Sequence, residues 1–138
     1  MSIPSFLKNL FYKRRLKKCG LRFPVLCKIR GVKVGDRQGA LAQSGGGDEL
    51  QLVHSPVEGY PFNVYVYSIT LNRVLGYLDA NLSEKLVYLF GNGFCRDGEI
   101  ESITGGPPTY PCYGCNIRIL ESMTMINGYD ELSHLRGE

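Results

Sequence analysis

Apolar and basic residues recur with a helical period over the first part of the chain. Between Ser5 and Lys18 the spacings within each set are mostly three and four residues. The apolar positions are 6, 7, 10, 11 and 16, and the basic positions are 8, 13, 14, 15, 17 and 18. This spacing predicts an α-helix with one apolar and one basic face. Gly20 is suited to end that helix in the left-handed conformation.

Beyond residue 22 the pattern changes to short runs that are typical of β-strands. The clearest run is Asn63–Thr70, because nearly all of its residues are β-branched or aromatic. Leu71-Asn-Arg73 follows it as a tight turn. The other predicted strands are 23–31, 49–53, 74–78, 93–104 and 115–122. The strands are separated by loops that are rich in glycine, proline and serine.

One segment within this region predicts a helix. Asn81 and Glu84 have the spacing of a capping box, in which each side chain satisfies a backbone N–H of the other. Apolar residues follow at helical spacing, and Gly91 then ends the pattern. These apolar residues are Leu82, Leu86, Leu89 and Phe90. We therefore expect one internal amphipathic helix of about ten residues.

The order of these elements predicts the fold class. Because strands and helices do not alternate, a doubly wound parallel sheet is excluded. Short strands are best accommodated in a small, largely antiparallel barrel, since closure removes unpaired strand edges. We predict a mainly β fold with one internal helix and an N-terminal basic helix. The predicted organisation is a basic amphipathic arm (1–22), a β-barrel domain (23–122) and a C-terminal tail (123–138) that contains a surface residue, His134.

Charge is distributed unevenly along the 138 residues. Residues 1–35 contain ten Lys or Arg and no acid, whereas residues 36–138 contain six bases and thirteen acids. Residues 1–35 therefore carry a net charge of +10, and residues 36–138 carry −7. Basic arms typically meet nucleic acid, anionic lipid or an acidic partner. Two interpretations remain open: Phe6, Leu10 and Phe11 dock on the domain while the bases are solvated, or the bases bind an anion.

Several classes of protein are excluded by what the sequence lacks. It contains neither the apolar run of a membrane span nor the pattern of a secretory signal, so we expect a cytoplasmic protein. Gly45-Gly-Gly47 is not followed by the lysine of a phosphate-binding loop. No nucleophile elbow is present, and His54 and His134 lie in no recognised catalytic setting. We expect no enzymatic activity.

The five cysteines offer one metal-binding pattern. Cys112 and Cys115 have the C-x-x-C spacing that allows two thiolates to bind one tetrahedral zinc ion. No second close pair completes the four ligands that a structural zinc site needs, because Cys19, Cys27 and Cys95 are isolated. We expect ordinary thiols, no disulfide framework and no cofactor, with zinc at Cys112 and Cys115 as the alternative.

Aromatic residues are concentrated around one loop and the two strands that follow it. They are Tyr60, Phe62, Tyr65, Tyr67 and Tyr77, and Arg37 lies in an earlier loop that a barrel could bring alongside. Exposed rings stack on unpaired bases while nearby cations hold phosphates, which is how small barrels bind single strands. Because side chains alternate along a strand, about half of the strand rings belong to the core. Tyr60 and Phe62, in the loop, are better candidates for exposure.

A series of short motifs in this region resembles the HIRAN domain family. Members have a loop with an Arg, a strand of the form L-x-L, then E-P-x-N-P-Y-D-x-N-A-I-x-V, and then I/V-G-Y/H-L before a helix. The corresponding segments are Asp36-Arg-Gln38, Leu50-Gln-Leu52, Pro56-Val-Glu-Gly-Tyr-Pro-Phe-Asn63 and Leu75-Gly-Tyr-Leu78. Together the motifs cover about residues 25–120, and their order and spacing carry the resemblance.

The resemblance implies an OB/SH3-like, partly open β-barrel with a helix. The best understood member binds the free 3′ end of single-stranded DNA, holding the terminal base between aromatic rings. Arg37 matches the family's loop Arg, Tyr60 its N-P-Y-D tyrosine, Asn63 the following Asn, and Tyr77 the Y/H position.

Three features of the 3′-end site differ in this chain. The family's Asp is Pro61, the aromatic after the loop Arg is Gln38, and Asp79-Ala80 replace lysines. We therefore expect binding that is neutral to sequence and to strand ends.

The sequence thus predicts a nucleic-acid-binding module without catalysis of its own, with single-stranded DNA, or DNA ends, in repair or replication as the leading ligand. The predicted binding residues are Arg37, Tyr60, Phe62, Asn63, Tyr77, Lys13, Arg14, Arg15, Lys17 and Lys18. The alternative is a protein-interaction or adaptor module, in which the arm inserts Phe6, Leu7, Leu10 and Phe11 into a groove of a partner such as a helicase or nuclease. Membrane binding by so few apolar residues would be marginal and reversible.

Overall fold

The computed structural model describes residues 4–122, which form one six-stranded sheet and three helices. In chain order the elements are α1 (Ser5–Cys19), β1 (Val25–Lys28), α2 (Arg37–Ala42), β2 (Glu49–His54), β3 (Val64–Ser68), β4 (Arg73–Tyr77), α3 (Ala80–Phe90), β5 (Cys95–Gly105) and β6 (Tyr113–Ile119). The predicted tail 123–138, with His134, lies outside the described residues. No helix among residues 4–122 has the length and hydropathy needed to span a membrane.

The sheet is antiparallel throughout and has the order β1-β6-β5-β2-β3-β4. It curls into a half-barrel, and its two edges meet at one point beyond β1. There Arg30 donates its N–H to the carbonyl of Tyr77 at 2.8 Å, and Tyr77 donates its N–H to the carbonyl of Arg30 at 2.9 Å. The predicted mainly β, antiparallel fold is therefore confirmed.

The core lies inside the curled sheet. Its residues on β5 and β6 largely alternate with more exposed ones. The centre of the sheet is covered on both faces, because Val53, Tyr67 and Cys95 form a second, smaller cluster on the other face. The largest fully buried strand residues are Leu50, Leu52, Leu75, Ile100, Ile117 and Ile119. Leu41 of α2 and Leu86 of α3 pack against this cluster, so both internal helices help to fill the half-barrel. Of the two β3 tyrosines, Tyr67 is buried and Tyr65 is half-exposed, which confirms that only some of these rings belong to the core.

Helix α3 confirms the predicted internal helix but starts earlier than the capping box implied. Asp79 is the N-cap residue, and its carboxylate accepts hydrogen bonds from the N–H groups of Asn81 at 3.1 Å and Leu82 at 3.4 Å. The proposed cap at Asn81 is wrong, because the chain leaves the sheet directly after Tyr77 and Asp79 reaches the free N–H groups first. The helix then ends at Phe90.

Helix α2 is a second internal helix, although the sequence predicted only one. The segment that forms it was predicted to be a loop. Its six residues are too few for an apolar period to be visible. Gln38 holds it by long-range hydrogen bonds: its amide nitrogen donates to the carbonyls of Val32 at 2.9 Å and Tyr113 at 3.0 Å, and its amide oxygen accepts from the N–H of Tyr113 at 2.8 Å. Arg37 is therefore the first helical residue and not a loop residue.

Helix α1 has the predicted extent and is capped by Gly20 at φ 72°. It packs on α3. The ring of Tyr12 stacks on that of Phe90 at a centroid distance of 6.1 Å, and Arg15 Nε donates to the carbonyl of Leu89 at 3.4 Å. Cys19 Sγ donates to the carbonyl of Lys85 at 3.8 Å. The arm is therefore docked, through residues spaced by three and four positions.

The exposed side of α1 corrects the prediction of two separate faces. Phe6 is 71% exposed, and Leu10 and Phe11 are also exposed, so these residues do not dock on the domain. Lys13 and Arg14 follow Leu10 by three and four positions and thus lie on the same side of the helix. The solvent-facing side therefore differs along the helix axis: its exposed apolar residues lie in the first half, together with Lys8, and its other exposed bases lie in the second half.

Closure of the half-barrel leads to a stability prediction. A Cβ atom at Gly76 would overlap the carbonyl oxygen of Arg30, which belongs to the closing bridge. We expect Gly76→Ala to lower the free energy of unfolding by about 1–3 kcal/mol, because backbone cannot move aside as a flexible side chain can. Gly45→Ala is the control, since a Cβ atom at Gly45 would have no neighbouring atom within 4 Å. Equal urea midpoints for the two variants would contradict the importance of this bridge.

Candidate functional site

Four of the predicted site residues lie at one end of the half-barrel, which we call the loop end. Tyr77 is opposite Tyr65 in the β3–β4 register, and residues 55–63 connect β2 to β3 at the same end. Tyr60 is 66% exposed, and Phe62 and Tyr77 are exposed to a lesser degree. The exposure predicted for Tyr60 and Phe62 is therefore confirmed. These rings share the loop end with Asn63.

A buried histidine anchors the loop that carries these rings. His54 Nδ1 accepts a hydrogen bond from the N–H of Gly93 at 2.7 Å, so this nitrogen carries no proton. The other ring nitrogen, Nε2, then donates to the carbonyl of Pro61 at 2.8 Å. His54 is 3% exposed, and its ring stacks on Phe94. This neutral tautomer joins the 55–63 loop to the turn before β5, and it fixes the backbone between Tyr60 and Phe62.

Asn63 closes the base of the same loop. Its side-chain nitrogen donates to the carbonyl of Ser55 at 3.0 Å, while the N–H of Ser55 donates to the carbonyl of Asn63 at 2.8 Å. The amide nitrogen is thus engaged within the protein. In this structure Asn63 holds the loop in place, and Tyr60 and Phe62 are the side chains that face solvent.

Arg37 and Tyr77 are brought together at Gly31. Arg37 Nη1 donates to the carbonyl of Gly31 at 2.8 Å. The ring of Tyr77 lies against the α-carbon of Gly31, where a Cβ would overlap it, and Gly31 has a φ of 70°. This hydrogen bond uses one of the five N–H donors of the guanidinium group. Arg37 and the exposed ring of Tyr77 therefore both contact Gly31.

The charges at the loop end are mixed. At the loop end Arg30 Nη2 lies 3.2 Å from the carboxylate of Asp79. At the other end of β4, Arg73 forms an ion pair with Asp36, the residue before Arg37. Both pairs are solvent-exposed, so they contribute little to stability. The carboxylates also reduce the local positive potential beside Arg37. An anion that approaches the loop end meets acids as well as bases.

The charge on α1 is of one sign. Lys13, Arg14, Lys17 and Lys18 are exposed, and the helix contains no acidic residue. Arg15 differs from these four, because it is half-buried against α3. Of the predicted arm residues, four therefore face solvent and one helps to dock the helix.

The cysteine pair does not fit a zinc site. Cys115 is fully buried, and burial raises the pKa of its thiol to about 12. Zinc binds thiolate, so this side chain would have to turn outward and lose its proton. Cys112 is half-exposed in the β5–β6 loop. Within residues 4–122 no group of three or more His, Cys, Asp or Glu side chains could hold a metal ion, and all five cysteines are free.

Three residues beside α1 were not identified from the sequence. Tyr88 of α3 is 46% exposed, and Lys18 Nζ lies 5.9 Å from its ring centroid. Lys85 lies one turn before Tyr88 on α3, and Arg22 follows the end of α1. The helical period gave one signal, since Tyr88 falls outside the apolar positions of α3. That α1 packs alongside Tyr88 could not be inferred from local pattern.

Comparisons with protein family models, with curated proteins and with solved structures give no match. Membership of the HIRAN family therefore stays a prediction from the sequence motifs.

The hydrogen bonds of His54 lead to a second prediction. His54→Ala leaves the N–H of Gly93 and the carbonyl of Pro61 without their partner and creates a cavity. We expect the free energy of unfolding to fall by about 2–4 kcal/mol. Glu58→Ala, an exposed change in the same loop, is the control. Chemical denaturation measures both, and a His54→Ala protein as stable as the control would show that the loop does not depend on this ring.

Thiol chemistry provides a third prediction. Burial raises the pKa of the Cys27 thiol to about 11 and that of Cys115 to about 12. Because thiolate is the reactive form, both should be modified slowly by an alkylating reagent at neutral pH. Their rates should rise only as pH approaches these pKa values. Mass spectrometry of the labelled protein checks this, with denatured protein as the control; rapid native labelling of Cys115 would contradict its burial.

Proposed function

We propose that this protein is a nucleic-acid-binding module that binds single-stranded DNA and has no catalytic activity of its own. In this proposal the half-barrel is an OB/SH3-like barrel of the HIRAN type. One observation carries the proposal: an acid-free helix with five exposed bases is docked on α3, the helix that directly follows the exposed Tyr77. Cations and stacking rings are thereby presented by neighbouring elements.

The two kinds of group have complementary roles. Exposed lysines and arginines neutralise phosphates, and the release of counterions makes such binding strongly dependent on salt. Exposed rings such as Tyr60 stack on bases, which requires bases that are not already stacked in a duplex. The combination favours a single strand over a duplex. It also favours binding without sequence preference, since every base has a face on which a ring can stack.

Recognition of a strand end is not part of this proposal. At the positions where the HIRAN resemblance implies a 3′-end site, Gln38 is bonded to Val32 and Tyr113, and the carbonyl of Pro61 accepts from His54. These groups are occupied in holding α2 and the 55–63 loop. They support the fold, and the binding groups that remain are rings and cations without end specificity.

A second candidate function is favoured by the apolar first half of α1. Phe6, Leu10 and Phe11 are exposed, so they are available to a protein partner such as a helicase or nuclease. In this case F6S/L10S would abolish capture of the partner in a pull-down while leaving oligonucleotide affinity unchanged. Equal capture by wild-type and variant protein would contradict an adaptor role for α1.

The proposed function predicts the effect of removing one ring. Tyr60→Ala should weaken the binding of a short labelled oligothymidylate by about 1–3 kcal/mol, because a stacked base loses its platform. Tyr110→Ala is a matched control: Tyr110 is similarly exposed, but it lies in the β5–β6 loop, which follows the end of β5 that is farther from the loop end. Fluorescence anisotropy at two salt concentrations measures both variants.

Three outcomes would be informative. Wild-type protein that fails to bind at low salt would contradict the proposed function. Binding that is insensitive to salt would contradict a phosphate contribution. Equal losses for Tyr60→Ala and Tyr110→Ala would remove Tyr60 from the interface.

A further inference from the structure

Two open depressions flank the second half of α1. One, which we call the α1–α3 groove, has a volume of about 510 Å³ and is lined by Lys18, Cys19, Asn81, Glu84, Lys85 and Tyr88. The other, the cationic depression, has a volume of about 450 Å³ and is lined by Lys13, Leu16, Lys17, Gly20, Leu21 and Arg22. Neither contains a residue of the loop end. They are therefore separate from the rings around Tyr60.

The cationic depression has the composition of a phosphate site. Lys13, Lys17 and Arg22 line it, and no acidic residue does. Like charges that converge on one concave surface raise the local potential, and a bound anion relieves their repulsion. Leu16 and Leu21 supply apolar walls, which lower the screening by solvent. A phosphate group is the anion that such a set of cations suits best.

The α1–α3 groove combines a ring with two cations. Tyr88 is 46% exposed, and the flexible side chain of Lys18, whose Nζ lies over the ring, lines the same groove as Lys85. A base can stack on the ring while its phosphate contacts a lysine. Glu84 also lines the groove, and its carboxylate weakens the attraction for an anion. The side chain of Cys19 is engaged with the carbonyl of Lys85.

Exposed cations connect the two depressions across the surface of α1. Lys17 of the cationic depression is three positions from Arg14, and Arg14 is four positions from Lys18 of the groove, so each pair is adjacent on the helix. Arg14 is exposed between them. The path from one depression to the other is therefore basic along its whole length.

We propose that a single strand of DNA crosses the second half of α1, with a phosphate in the cationic depression and a base stacked on Tyr88 in the α1–α3 groove. The choice of DNA as the ligand rests on the proposed function, whereas the position of the site does not. This site adds Arg22, Lys85 and Tyr88 to the binding residues and makes the loop end a secondary binding surface. The lysines and arginines of this site bind phosphate at fixed positions, and not only through the net charge of the arm.

A charge-matched pair of variants tests the cationic depression in the full-length protein. K17Q/R22Q and K28Q/K33Q each remove two exposed bases from residues 1–35, but only the first pair lines the depression. We expect K17Q/R22Q to weaken oligothymidylate binding about tenfold more than K28Q/K33Q. Its log–log salt slope should also fall by about 0.7 for each phosphate that the variant no longer neutralises. Equal losses for the two variants would overturn the proposal.

Three substitutions test the α1–α3 groove. Tyr88→Ala should weaken binding at least fivefold, whereas Tyr88→Phe, which keeps the ring, should restore it. Glu84→Gln should tighten binding two- to threefold, an effect that a purely structural residue would not produce. Thermal melts confirm that each variant is folded. Unchanged affinity for both Tyr88→Ala and Glu84→Gln would overturn the assignment of the groove.

The same variants separate this inference from the function on which it rests. If wild-type protein binds no oligonucleotide, the proposed function fails. If it binds but only Tyr60→Ala reduces affinity, the function holds and the α1 site is wrong. Vesicles containing an anionic phospholipid provide the other source of phosphate. The proposal would be overturned, and the depression assigned to lipid, if wild-type protein bound these vesicles and K17Q/R22Q did not, while the two proteins bound the oligonucleotide equally.

Discussion

The pairing of Arg30 with Tyr77 is the constraint on which the rest of the structure depends. These two reciprocal hydrogen bonds join the ends of a sheet that would otherwise have two open edges. The close approach requires glycine at position 76, and it places the ring of Tyr77 against Gly31. The carbonyl of Gly31 in turn accepts from Arg37. One backbone contact thus closes the half-barrel and fixes an exposed ring beside a cation.

The docking of α1 converts a charged segment into a defined surface. A free basic helix can turn any side toward an anion, whereas a docked one offers a single side. Tyr12 and Arg15 occupy the side that faces α3, through the ring of Phe90 and the carbonyl of Leu89. The exposed bases Lys13, Arg14, Lys17 and Lys18 are therefore held in place relative to Tyr88. Binding to fixed cations costs less side-chain and backbone entropy than binding to a flexible arm.

Local features were predictable from the sequence, and features that depend on distant contacts were not. The exposure of Tyr60 followed from its position between turn residues. The N-cap of α3 was predicted at Asn81 instead of Asp79, because the position of the cap depends on where β4 ends. Helix α2 was missed because Gln38 holds it through Tyr113, 75 residues away. The role proposed for Tyr88 depends on the packing of α1 against α3, and the spacing of apolar residues along the sequence does not reveal that packing.

The hydrogen bonds made by the HIRAN-like motif residues explain why we propose binding through the helices instead of through those residues. Gln38, Pro61 and Asn63 lie where the sequence resemblance implies ligand contacts, yet each is hydrogen-bonded within the protein. A polar group that already holds a buried loop can bind a ligand only by giving up that bond, which leaves its partner unsatisfied. Exposed bases on α1 lose only water when they meet a phosphate. Binding through α1 therefore leaves the internal bonds of the half-barrel intact.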